Sequence, residues 1–110
     1  MTTLKLSGVT FNDRQKTLAT LAMGQEYDFI PQFIIEHQKN NPYDKNAVLV
    51  SVLFPKGEVE ELGFIPKDFN QQLATLLDAN LQPIYVTNFR IYGGENGKNY
   101  GVSITLNVEI

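Results

Sequence analysis

The sequence contains no cysteine and no tryptophan, and only one histidine, among its 110 residues. Without cysteine there is no disulfide framework, no thiolate zinc site and no thiol nucleophile. The single histidine, His37, cannot supply a metal-binding pair. No serine or cysteine context marks it as a general base either, so it reads as a surface or loop residue. No apolar run approaches the ~20 residues that span a bilayer, and no basic stretch followed by an apolar one opens the chain. Positive charge is also scarce: nine Lys and Arg face twelve Asp and Glu, for a formal charge of −3. That balance argues against a protein coating long duplex, which needs many phosphate neutralisations. It leaves room for a site touching one or two nucleotides. Repeats, low-complexity tracts and Pro/Gly/Ser-rich linkers are absent as well. The expectation is a cytoplasmic, soluble protein with one domain over 1–110, a length that buries roughly 65% of the surface its unfolded chain exposes.

What is present alternates strands with two helices. Leu4 and Leu6 alternate with Lys5 and Ser7, the period-2 pattern of a half-buried strand reaching Val9. Asn12 and Gln15 have capping-box spacing and open a helix whose inner face is Leu18, Leu21 and Ala22, with Gly24 as its C′ residue. Glu26 to Glu36 is aromatic and β-branched but interrupted by Pro31, which predicts an edge or bent strand. Ala47 to Phe54 is a nearly continuous apolar strand, and Leu62 to Ile65 its short partner. Asp68 and Gln71 repeat the capping spacing ahead of Phe69, Leu73, Leu76 and Leu77 at helical intervals. Gln82 to Tyr92 and Tyr100 to Ile110 flank a glycine-rich hairpin tip containing Asn96-Gly97. The order is β-α-β-β-β-α-β-β. Such a chain is mainly β with two helices, mostly antiparallel, and best satisfied by a small, partly open β-barrel.

Catalytic chemistry is thinly represented. Glu58, Glu60 and Glu61 cluster in sequence, but Glu58 and Glu60 share one face of a strand that Glu61 opposes. Such a cluster reads as a solvated edge that discourages aggregation. Gly93, Gly94 and Gly97 do not link a strand to a helix, so they fail the context of a phosphate-binding loop. No catalytic residue, metal ligand or cofactor site is expected. The segment Asn41-Pro42-Tyr43-Asp44-Lys45-Asn46-Ala47 is different. It gathers an aromatic ring, a carboxylate, an ammonium and two amides immediately before an apolar strand. One reading is a tight turn in which Asn and Asp cap the backbone while Tyr43 covers the barrel mouth. The other is a polar pocket beside a stacking ring, suited to one nucleobase and its sugar.

That segment, with the downstream Leu62-Gly63-Phe64-Ile65-Pro66-Lys67 and the opening Gly8-Val9-Thr10-Phe11 followed by Arg14-Gln15, resembles the HIRAN domain family. The likeness runs from about Gly8 to Leu77, with order and spacing kept. It implies an OB-like β-barrel that binds the 3′ end of single-stranded DNA by its free 3′-hydroxyl, in DNA repair or at stalled forks. A helicase or nuclease is the protein partner it suggests. By motif position, Asn41, Tyr43 and Asp44 would form the end pocket and Lys67 would meet a phosphate, with Phe11 and Phe64 as walls. Where DNA-binding members carry a basic residue and two aromatics, this chain has Thr10, Phe11 and Asn12, and Arg14 and Tyr92 are the candidate replacements for the missing cation and aromatic. The chemistry is coherent, because a 3′-hydroxyl donates a hydrogen bond and an ionised carboxylate only accepts. A 3′-phosphate offers negative charge to that carboxylate instead. The alternative is a protein-interaction or inhibitory module, of phage or bacterial type, that reuses the barrel surface without DNA.

Overall fold

The computed structural model describes residues 1–25 and 31–110. The elements are β1 (Thr2–Lys5), α1 (Arg14–Gln25), β2 (Gln32–His37), β3 (Val48–Leu53), β4 (Val59–Phe64), α2 (Lys67–Ala79), β5 (Val86–Gly93) and β6 (Tyr100–Leu106). This is the expected order. Tyr27, Phe29 and Ile30, expected in the Glu26 to Glu36 strand, lie outside the described residues; β2 starts just after Pro31 and, among the described residues, is an edge strand.

Two three-stranded antiparallel sheets form, in the orders β1-β6-β5 and β2-β3-β4. They do not close into a barrel. Past β1 the chain stays extended, and Ser7 and Phe64 exchange two backbone hydrogen bonds of 2.8 Å, which joins the first sheet to β4. On the opposite side, among the described residues, Phe33 of β2 packs on Phe89 of β5, tilted at 59° with 5.3 Å between ring centroids.

The core lies between the sheets. Leu4 and Leu6, Val48, Val50 and Val52, Leu62, and Val102, Ile104 and Leu106 are buried within it. In α1 the inward positions Arg14, Thr17, Leu18 and Leu21 recur at helical spacing and are buried, and the helix packs on β4, β5 and β6. Helix α2 packs on β2 and β3.

The helix starts depart from the capping-box expectation. Asn12 has φ of 55°, outside the extended conformation an N-cap adopts. Gln15 instead reaches across the fold: its amide nitrogen donates to the Val9 and Tyr100 carbonyls, and its oxygen accepts the Tyr100 N–H at 2.7 Å. Gly24 lies inside α1 rather than after it. At α2 the N-cap is Pro66, whose carbonyl accepts the Phe69 and Asn70 N–H groups, and no side chain caps the helix. Asp68 still sits in the first turn, where a negative charge suits the helix dipole.

Between Val50 and Ser51 the β3–β4 register shifts, so that Val50 faces Gly63 and Ser51 faces Glu61. Leu62 is the extra residue of a β-bulge that turns β4 towards Ser7. The close approach there tolerates only glycine: a Cβ on Gly63 would lie 2.6 Å from the Ser7 carbonyl oxygen and 3.1 Å from a Val9 methyl. Gly63→Ala is therefore expected to cost about 1–3 kcal/mol. Thermal unfolding checks this: the melting temperature should fall by about 4 °C or more.

Candidate functional site

The loop from Lys39 to Ala47 is organised by its own short polar side chains. Its neck closes with the Gln38 N–H donating to the Ala47 carbonyl at 2.8 Å. Inside it, Asn41 Oδ1 accepts the N–H groups of Tyr43 and Asp44, at 2.9 and 3.1 Å, while Asn41 Nδ2 donates to Gln38 Oε1. Asp44 Oδ1 in turn accepts the Asn46 N–H at 2.9 Å. Successive Asx turns of this kind fix a loop without a hydrophobic contact. They also direct Tyr43 outward: the residue is 94% exposed, so its ring is not a lid on the core.

Six of the seven residues anticipated from sequence line one groove of about 400 Å³: Phe11, Asn41, Tyr43, Asp44, Phe64 and Lys67. Ser7, Ala47, Ile65 and Asn70 complete it. Phe11 is itself 65% exposed, so two solvent-facing rings, Phe11 and Tyr43, line a mostly apolar groove that also carries Asp44 and Lys67. Asp44 Oδ2 accepts a 2.8 Å hydrogen bond from Asn70 Nδ2, and Asn70 is buried on α2. The Asn46 N–H, then the Asn70 amide, and then the Lys67 charge hold the Asp44 carboxyl below its ordinary value. Each carboxylate oxygen retains a lone pair for a further donor. Lys67 is exposed at the first position of α2, where the helix terminus adds partial positive charge.

Arg14 is not brought to the groove. It is buried, donating from Nη1 to the Gly8 carbonyl at 2.7 Å and from Nη2 to Glu61 Oε1 at 2.8 Å. Its guanidinium carbon lies 5.1 Å from the Phe64 ring centroid. Gly8 adopts φ of +68°, and a Cβ there would meet Arg14, Phe11 and Phe64 together. Arg14 thus supports the wall from behind and fastens the turn that carries Phe11. The neighbouring glutamates are divided: Glu61 of β4 pairs with Arg14, whereas Glu60 of β4 and Glu58 just before the strand line a separate groove with Asp13 and Lys16. Among the described residues no cluster of three His, Asp or Glu could hold a metal ion.

His37, expected as a surface or loop residue, is the last residue of β2 and clasps the loop to α2. Its Nδ1 meets both Asp78 carboxylate oxygens, at 2.9 and 3.1 Å, and its Nε2 meets the Lys45 carbonyl at 2.8 Å. Both partners are acceptors, so both contacts are hydrogen bonds only when the ring is the doubly protonated imidazolium. The Asp78 hydrogen bond first, then the Lys45 carbonyl, raises the His37 pKa above its ordinary 6.5. A raised folded-state value stabilises the fold fully below 6.5, and the contribution disappears as pH climbs through the folded value. The melting temperature of the natural chain should thus exceed that of His37→Gln by a margin that shrinks from about pH 5.5 to about pH 8.5. A margin constant across that range would remove the imidazolium from this role.

Among the described residues no helix is long and apolar enough to cross a membrane. No curated protein and no solved structure matched the chain. The family model of the HIRAN domain matches residues 15–110, so the match takes in the loop, the groove's α2 side and the final hairpin through Ile110. With that extent, the chain belongs to the HIRAN domain family, whose members are generally DNA-binding modules.

Proposed function

We propose that the groove binds the 3′ end of single-stranded DNA by its free hydroxyl. The observation that carries this reading is the pairing of a solvent-exposed ring, Tyr43, with the neighbouring carboxylate of Asp44 in one groove. A ring held outward by the backbone contributes nothing to the core, yet it presents a flat apolar face to a base. The terminal base stacks on Tyr43, with Phe11 or Phe64 as the second wall. The 3′-hydroxyl donates to Asp44, and Lys67 neutralises the adjacent phosphate. Asn41 acts chiefly by shaping the loop, since its oxygen already accepts two backbone N–H groups.

End selection follows from charge. A 3′-phosphate, or a strand continuing through the groove, replaces a donor with an anion beside Asp44. The biological setting that fits such a reader is repair of broken ends or processing of stalled forks, beside a helicase or nuclease.

Fluorescence anisotropy at low salt with 5′-labelled oligonucleotides tests this, by comparing 3′-hydroxyl with 3′-phosphate ends. The natural chain should prefer the hydroxyl, and Asp44→Asn should erase most of that preference. Equal binding of both ends, or binding of neither, overturns the proposal. Tyr43→Ala should weaken binding of any terminal base by about 1–3 kcal/mol, and because Tyr43 is 94% exposed its melting temperature should stay put.

A further inference from the structure

We infer that the outer face of the β1-β6-β5 sheet is a track for the nucleotides leading 5′-ward from the end groove; this rests on the single-stranded DNA reading above. The register places Lys5, Ser103 and Arg90 side by side across the three strands, with Thr3, Thr105 and Asn88 as the next row. Their neighbours Leu4 and Ile104 are buried and Phe89 packs against the core, so the Lys5 row faces away from it. At a strand spacing of about 4.8 Å, the row sets the two cations roughly 10 Å apart at the backbone. One row further, Tyr92 faces Gly101. A Cβ on Gly101 would lie 2.5 Å from Tyr92 Cε2, so the missing side chain lets the ring lie across the central strand. Lys5 Nζ stands 5.5 Å from the centroid of that ring.

Three observations select single-stranded DNA as the occupant. First, the charge is asymmetric: the chain has twelve acidic residues, yet none belongs to β1, β5 or β6, which carry Lys5 and Arg90. The nearest in sequence are Glu95, in the β5–β6 turn, and Glu109, which pairs with the N-terminal ammonium. Second, neither Lys5 nor Arg90 forms an ion pair with the described residues. Two cations and a ring, with hydroxyls between them, match a phosphodiester chain whose bases stack. Third, the face runs into the groove. Beyond Lys5 the chain remains extended, with Leu6 buried and Ser7 exposed, and Ser7 lines the groove. Lys5 and Ser7 therefore share a side, about 6.6 Å apart along the chain. In the proposed path Lys5 and Arg90 meet successive phosphates, Lys5 swinging on its flexible stem, and a base rests on Tyr92.

The test compares 3′-hydroxyl oligothymidylates of about three and about ten nucleotides, the second long enough to leave the groove. On the natural chain the longer one should bind more tightly and with a steeper salt dependence. In Lys5→Gln/Arg90→Gln its salt slope should fall by ~1.4, about 0.7 for each phosphate released, while the short one is unaffected. Tyr92→Leu should weaken the longer one alone, by roughly five- to 150-fold. Unchanged affinity and salt slope for the longer oligonucleotide in the double variant overturn the track. So does equal loss for both lengths. The two proposals fail separately: a short oligonucleotide bound without regard to its 3′ end removes end recognition, and a length effect that still needs Lys5 and Arg90 keeps the track. No binding of either length removes both.

Discussion

The paired backbone hydrogen bonds between Ser7 and Phe64 set the architecture of this domain. They are the backbone contact that joins the first sheet to β4, and the groove opens where they sit. Their formation depends on the bulge at Leu62, which bends β4, and on Gly63, which has no side chain to keep the strands apart. The two residues that make the seam also line the groove. Position of the apolar wall is thus a property of how the sheets are joined, rather than of a separate binding element.

Behind that wall stands a buried charge. Arg14 is almost fully enclosed, and its partner Glu61 remains half exposed. Such a pair adds little net stability, because desolvating the guanidinium offsets much of the attraction, but removal of one partner leaves an uncompensated charge inside the fold. The geometry explains its use here. Arg14 reaches a backbone carbonyl at Gly8, a side chain on β4 and the face of Phe64. A planar, multi-donor cation can hold three elements in one arrangement where an apolar side chain would only fill the space. The opposite side of the groove is held by a comparable arrangement at smaller scale, with Asn70 gripping Asp44 and His37 gripping the loop behind it.

The fold was legible in the sequence where one segment carries its own signal. Strand alternation at Leu4 and Leu6, helical spacing from Leu73 to Leu77 and the turn chemistry of Asn41 to Asp44 are all local, and element order follows from them. Residues whose meaning depends on distant partners were not legible in the same way. Asn12 and Gln15 have capping-box spacing, but Gln15 answers to Tyr100, 85 residues away. Arg14 looked like a spare cation because Glu61, 47 residues on, is not visible from its own helix. Asn70 carried one faint hint, a polar residue three positions before Leu73 on a helix's inward face. A buried amide needs a partner, and the candidates in that helix do not include Asp44. His37 offered no such hint, since its clasp forms only once β2, α2 and the loop are assembled.

An acidic chain in a family of DNA-binding modules looks contradictory only if net charge is treated as uniform. Fields from exposed charges are screened beyond roughly 8–10 Å at ordinary salt, so a nucleotide responds to the groups it touches. The carboxylates of β4 lie on the strand's outer edge and beside Asp13, in grooves distinct from the one built around Tyr43. Asp44 is the acidic side chain of the Tyr43 groove, and under the proposed end recognition its sign is useful because a 3′-hydroxyl is a donor. Lys67 and the start of α2 answer it from the same groove. A more basic groove would bind any phosphodiester more tightly and distinguish an end from an interior less well. Low positive charge at this position therefore suits the proposed end selection, and under that proposal affinity for the rest of a strand has to come from a different surface.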